Sequence, residues 1–121
     1  ELNPLVTRGY YATLPVHSGA AIRDTVLNEI VVDVSKFTGE KLLIITTTLN
    51  QPVNLYVYAE GTGYTYASVG TKTGIASGAV VYSSTDFPAL KGPVTKLRIR
   101  VQATTAPTAG TLSSIIEGVQ A

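Results

Sequence analysis

An all-β fold, two antiparallel sheets packed as a sandwich, is what this 121-residue sequence predicts. Three observations predict it. Apolar and polar residues alternate with period two in segment after segment, turn-forming residues recur between those segments, and helical periodicity never extends beyond a single turn. The expected arrangement is jelly-roll-like or immunoglobulin-like with about eight strands, and a closed barrel is the neighbouring architecture. The length suits one domain over residues 1–121. Residues 1–6, with Pro4 and weak periodicity, are set apart as an extended N-terminal arm.

The first strand is expected over residues 6–14, ended by His17-Ser18-Gly19. In the second, Ile30, Val32 and Val34 alternate with Glu29, Val31 and Asp33. A helical turn at 34–37 and the breaker Phe37-Thr38-Gly39-Glu40 precede a third strand at 41–48, which holds the longest aliphatic run, Leu42-Leu43-Ile44-Ile45. After Leu49-Asn50-Gln51-Pro52, the fourth strand places Val53, Leu55, Val57 and Ala59 on one face and Tyr56 and Tyr58 on the other. A fifth is expected at 63–69. The Gly-, Ser- and Thr-rich stretch 61–78, broken at 70–74, reads as a mobile hairpin or surface loop. A sixth strand follows at 79–83 and a helical turn at 87–91. The seventh has Leu97, Ile99, Val101 and Ala103 inward and Lys96, Arg98, Arg100 and Gln102 outward. Ala106-Pro107-Thr108-Ala109-Gly110 turns the chain into a last strand at 110–119. Thr, Val, Ile and Tyr dominate these segments, as a pleated, half-buried surface requires.

Composition narrows the function classes. Apolar residues make up 45% and charged residues 14%, with a formal net charge of +1, so neither a nucleic-acid footprint nor a membrane-binding patch is expected. The absence of Cys leaves no disulfide, thiolate metal site or thiol nucleophile. No run approaches the roughly 18 apolar residues of a membrane helix.

The candidate chemistry is sparse. His17 is the sole histidine, with Ser18 and Asp24 close in sequence. A hydroxyl, imidazole and carboxylate that act together usually converge from distant segments, so His17 reads as a loop residue. Lys72-Thr73-Gly74 matches one element of the β-lactamase signature, but Ser-x-x-Lys and Ser-Asp-Asn are absent. Gly61-Thr62-Gly63 lacks the third glycine and the helix of a dinucleotide loop. Asp24, Asp33, Glu60 and Asp86 never fall into calcium-loop spacing. No catalytic residue, metal site or cofactor is assigned. The stripe Lys96, Arg98 and Arg100 reads as a solvated face that discourages edge pairing.

The tyrosines are the sharper signal. Tyr56 and Tyr58 share one strand face and Tyr64 and Tyr66 another, so a hairpin about Gly61-Thr62-Gly63 would gather four rings on one surface. Such rings offer a large contact area with a polar tip, suited to a protein interface or a sugar platform.

Two segments carry a family resemblance: EKLLIITTTLNQPVNL, residues 40–55, and LKGPVTKLRIRVQA, residues 90–103, followed by APTAGTL. An apolar strand into TLNQPV, then an LRIRVQA strand into APTAG and a closing strand, resembles small β-sandwich structural proteins of tailed bacteriophages and their prophages. The resemblance implies a non-enzymatic virion, capsid-decorating or tail-associated component, located in the virion or outside the cell, whose partners are copies of itself or other virion proteins. It brings no active-site residues. The expected mechanism is assembly through β-edges and the face bearing Tyr56, Tyr58, Tyr64 and Tyr66. A glycan- or receptor-binding module using the same rings is the alternative, as is a surface-filament subunit joined by strand exchange through residues 1–6.

Overall fold

The period-two alternation becomes geometry most plainly in β4 (Val53–Gly61). There Val53, Leu55, Val57 and Ala59 are almost fully buried and the residues between them half-buried. The other strands are β1 (Tyr10–Ala20), β2 (Asn28–Asp33), β3 (Phe37–Thr47), β5 (Tyr64–Ile75), β6 (Gly78–Tyr82), β7 (Val94–Ala103) and β8 (Leu112–Gln120). The computed structural model describes residues 10–61, 64–92 and 94–120, leaving aside the side chains of residues 10, 11, 38, 64–69 and 120. The arm expected over residues 1–6 lies outside them.

Two four-stranded sheets form, ordered β1-β8-β3-β6 and β2-β7-β4-β5; we call them sheets A and B. All pairing is antiparallel, and β1 pairs with β8, β2 with β7, β3 with β6 and β4 with β5. The partners are thus nested about the β4–β5 turn, as when one long hairpin is wrapped into two sheets. This is the jelly-roll order, and it decides between the architectures open to the sequence.

The core lies between the sheets. Sheet B contributes Leu55, Val57, Leu97, Ile99 and Val101, and sheet A contributes Leu43, Ile45, Leu112 and Ile116, all at 0% exposure. Fully burying such a side chain stabilises the fold by about 1.5–3 kcal/mol, so these two inward rows account for the sandwich. Phe87, just before the 3-10 turn Pro88–Leu90, and Leu90, its last residue, cap one flank.

Three expectations need correction. Strand β1 continues through His17-Ser18-Gly19 to Ala20, because register shifts after Pro15 and His17 absorb the irregularity. Strand β3 begins at Phe37, inside the supposed breaker, with a shift before Lys41. The stretch 61–78 is mostly strand: β5 runs to Ile75 through the residues read as a break. Gly70 is needed there because a Cβ would lie 2.6 Å from the Phe87 ring. The breaker at 70–74 is therefore a close approach between strand and ring.

Candidate functional site

The two outer faces of the sandwich differ in chemistry, and the strand register fixes what each displays. On sheet B, residues of three strands line up in rows. Glu29, Arg100 and Tyr56 form one, Val31, Arg98 and Tyr58 the next, Asp33, Lys96 and Glu60 the third. The basic stripe is therefore flanked by carboxylates. Glu29 Oε2 lies 3.3 Å from Arg98 Nε and 2.5 Å from Arg100 Nε, and Arg100 lies 4.7 Å from the centroid of the Tyr58 ring. Asp33 accepts from Ser35, which holds its carboxyl below the usual range, with Lys96 adding a smaller pull.

Tyr56 and Tyr58 stand on this face, half-buried. Tyr64 and Tyr66 lie at the start of β5 beside the end of β4, with Gly61 opposite Tyr64. Whether the four rings gather falls outside the described side chains.

On sheet A the outward residues are mostly aliphatic. Pro15, Ile115, Ile44 and Val81 are successive register partners across all four strands, forming one row. Val81 is 57% exposed. Beside this row, Leu42 and Val119 join Glu40, Glu117 and Gly118 in lining a shallow groove. Among the described residues Glu40 and Glu117 are the charged groups on this face. The sequence reading passed over it, although a signal was present. Where apolar residues run unbroken, as in Leu42-Leu43-Ile44-Ile45, Val80-Val81 and Ile115-Ile116, both faces of a strand are apolar.

The sheet edges offer less. Strands β2 and β6 are short, at six and five residues. Strand β1 carries Pro15 and two register shifts, and β5 pairs with β4 through three. Short edges, proline and bulges all discourage strand addition.

Two buried polar groups complete the search for chemistry. His17 is 2% exposed and faces inward, away from the partners its neighbours suggested. Its Nδ1 lies 2.8 Å from Ser114 Oγ and its Nε2 3.1 Å from Asn28 Oδ1, while its backbone N–H donates to the same Ser114 Oγ at 3.1 Å. Ser18 is exposed, and Asp24 accepts from the Val26 N–H instead. An imidazole beside a serine hydroxyl resembles a nucleophile and its base, but Ser114 is 1% exposed and already accepts the His17 N–H. The pair as placed has no room for a substrate. Burial holds the His17 pKa below its ordinary value, with the Asn28 bond opposing.

Lys41, 1% exposed, extends its ammonium to the carbonyls of Gly39, Gly92 and Leu90 at 2.9, 3.1 and 3.4 Å. Burial lowers its pKa, and Glu40 opposes the shift. It ties β3 to the segment after the 3-10 turn, leaving none of its three donors for other work. No group of three or more metal-ligating side chains occurs among the described residues. No helix there is long and apolar enough to cross a membrane.

No family model matches the chain, and no curated protein matches it in sequence. Among solved structures the fold is similar to that of the SPBc2 prophage-derived protein YomS, with a TM-score of 0.54 and 13% identity over 90% of this chain and 94% of that one. It is also similar to a structure of Bacillus endospore appendages, described as disulfide-linked pili, at 0.51 and 13%, covering 94% of this chain and 91% of that one. A chain of infectious bursal disease virus, Gx strain, gives 0.50 and 12% over 89% of this chain. Only 31% of that viral chain is spanned. At these identities the likeness is one of fold.

Proposed function

We propose that this chain is a non-enzymatic structural subunit of a bacteriophage particle, as a minor virion, capsid-decorating or tail-associated protein. Its copies meet through sheet faces, chiefly the outside of sheet A. The observation that carries this reading is the aliphatic row Pro15, Ile115, Ile44 and Val81, extended by Leu42 and Val119. A contiguous apolar surface of this kind on a small protein marks an interaction site. Pressing the row Pro15, Ile115, Ile44 and Val81 against a second such face removes it from water, with Glu117 in the neighbouring row opposite Leu42 at its border. The blunted edges favour contact by faces over the edge pairing that the sequence suggested. Likeness of fold to a prophage protein, a viral chain and a spore appendage supports a virion or extracellular setting. This sequence has no Cys, so disulfides do not join its copies.

Light scattering over a concentration series, with electron microscopy of the concentrated protein, tests the proposal. The wild type is expected to exceed monomer mass as concentration rises. Ile115→Lys returns it to monomer with an unchanged melting temperature, and Tyr56→Ala leaves association intact. A monomer at every concentration would refute self-assembly, and equal loss from Tyr56→Ala would move the interface to sheet B.

The second reading, a glycan-binding face on sheet B, is favoured by Tyr56 and Tyr58 standing half-buried beside Asn54 and Gln102. A glycan array of wild type and Tyr56→Ala separates the two readings. Binding lost by this variant without loss of the oligomer would support the module.

A further inference from the structure

Beyond Pro15, β1 leaves regular register with β8, and side chains take over the pairing. Two N–H groups of this edge strand, those of His17 and Gly19, donate to the hydroxyls of Ser114 and Ser113, at 3.1 and 2.9 Å. Because Ser114 Oγ already accepts the His17 N–H, its own proton is free to point at Nδ1. Nδ1 then acts as acceptor, and the ring proton sits on Nε2, where it donates to Asn28 Oδ1. Asn28 opens β2, the edge of the other sheet. One directional relay thus runs from backbone to serine to imidazole to asparagine, and closes the flank between the two sheets.

The relay tolerates one protonation state. An added proton on Nδ1 would turn that nitrogen into a donor aimed at the serine oxygen. The Ser114 hydroxyl proton would lose its acceptor in a site that water does not reach. Among the described residues no carboxylate is placed to receive the new charge. Strand β1 carries no other charged side chain among its residues. On β8 Glu117 faces outward, and on β2 Glu29 is engaged by Arg98 and Arg100 while Asp33 accepts from Ser35. On β7, Lys96, Arg98 and Arg100 also face outward. In the β1–β2 connection Arg23 donates to the carbonyls of Ile22 and Gly110, and Asp24 accepts from Val26.

We propose that the His17–Ser114–Asn28 relay is an acid-released latch: protonation of His17 opens the β1–β2 flank while the remainder of the sandwich stays folded. The sign follows from linkage. Burial lowers the folded-state pKa of His17 below its ordinary 6.5. As pH falls through that ordinary value the open form takes up a proton that the closed form refuses. Closure is therefore complete above it and is lost progressively until the folded pKa is reached. Asp33 and Asp86 are both held below their usual range, so their effects begin at more acid pH.

With one histidine in the chain, its imidazole resonances report this site alone. The test follows those resonances by NMR against pH, and compares amide exchange at pH 7.5 and 5.0, corrected for intrinsic rates, in wild type and His17→Gln. The ring is expected to titrate below free histidine. Exchange at His17 and Gly19 should rise by about tenfold per pH unit once the free-histidine value is passed, while Val57 and Ile99 keep their protection. In His17→Gln the flank should lose this pH dependence. A ring titrating at or above the ordinary value, or flank and core amides opening together in the wild type, would overturn the latch even if the variant did not fold.

Discussion

The two flanks where the sheets meet are closed by opposite means. Between β5 and β6 the closure is aromatic. Phe87 is fully buried against Gly70 and meets Tyr82 edge-on, with ring centroids 5.5 Å apart at 76°. Lys72 lies 5.9 Å from the Tyr82 ring centroid and 3.1 Å from Asp86 at the surface. Between β1 and β2 the closure is polar and runs through one imidazole. An apolar seal is non-directional and indifferent to protons between pH 5 and 8, whereas a hydrogen-bonded seal holds only while every donor has its acceptor. The difference teaches that one sandwich can carry a permanent side and a conditional one.

Phe87→Ala breaks the comparison most severely. Emptying that site is expected to cost about 3–5 kcal/mol, measured by urea unfolding, and by the same amount at pH 7.5 and pH 5.0. A loss below about 1 kcal/mol would mean that the aromatic flank is not what holds the 83–92 segment. Ser114→Ala sharpens the contrast. It strands the His17 N–H and removes the donor to Nδ1, with an expected loss of about 1–3 kcal/mol at pH 7.5. That loss shrinks as pH falls below the ordinary histidine value, because without the Ser114 hydroxyl aimed at Nδ1 the ring takes up a proton more readily than in the wild type. A pH-independent loss would make the serine a simple packing residue. Asp86→Asn has the smallest effect on urea unfolding, because the pair it breaks is about a third exposed and screened by salt. The Asp86 carboxyl is lowered mainly by the Ser83 N–H and then by Lys72, so the loss should persist in part at high salt.

Much of the fold was legible because alternation is a local property. Strands β2, β4 and β7 bury the residues that their period assigned inward, and the turn at 87–91 is the 3-10 turn Pro88–Leu90. The misplaced boundaries share one cause. Glycines at 19, 39, 70 and 74 were read as breaks, but a bulge or a ring from elsewhere lets a strand carry them. Less of the candidate site was legible. Ser114 lies 97 residues from His17, and no local pattern announces such a partner. His17 was read as a loop residue, whereas it lies buried in β1; Ser18 beside it is exposed and Asp24 lies beyond the end of the strand. The tyrosines drew attention to sheet B, where Arg100 lies over the Tyr58 ring and is paired with Glu29. The unbroken aliphatic runs of sheet A are a second signal, of an apolar outer face, and a period-two reading discounts it.

The nesting of the strands has a consequence for how the molecule is made. Strand β8, the last of the eight in chain order, lies between β1 and β3 in the interior of sheet A. Until its nine residues have been made, β1 has no neighbour in its sheet, and β3 has only β6. The β4–β5 hairpin can close early from nearby residues, but the partners at the outer turn of the spiral must wait for a contact spanning nearly the whole chain. Birth order and spatial order run against each other here, and the eighth strand decides whether β1 ever finds its place.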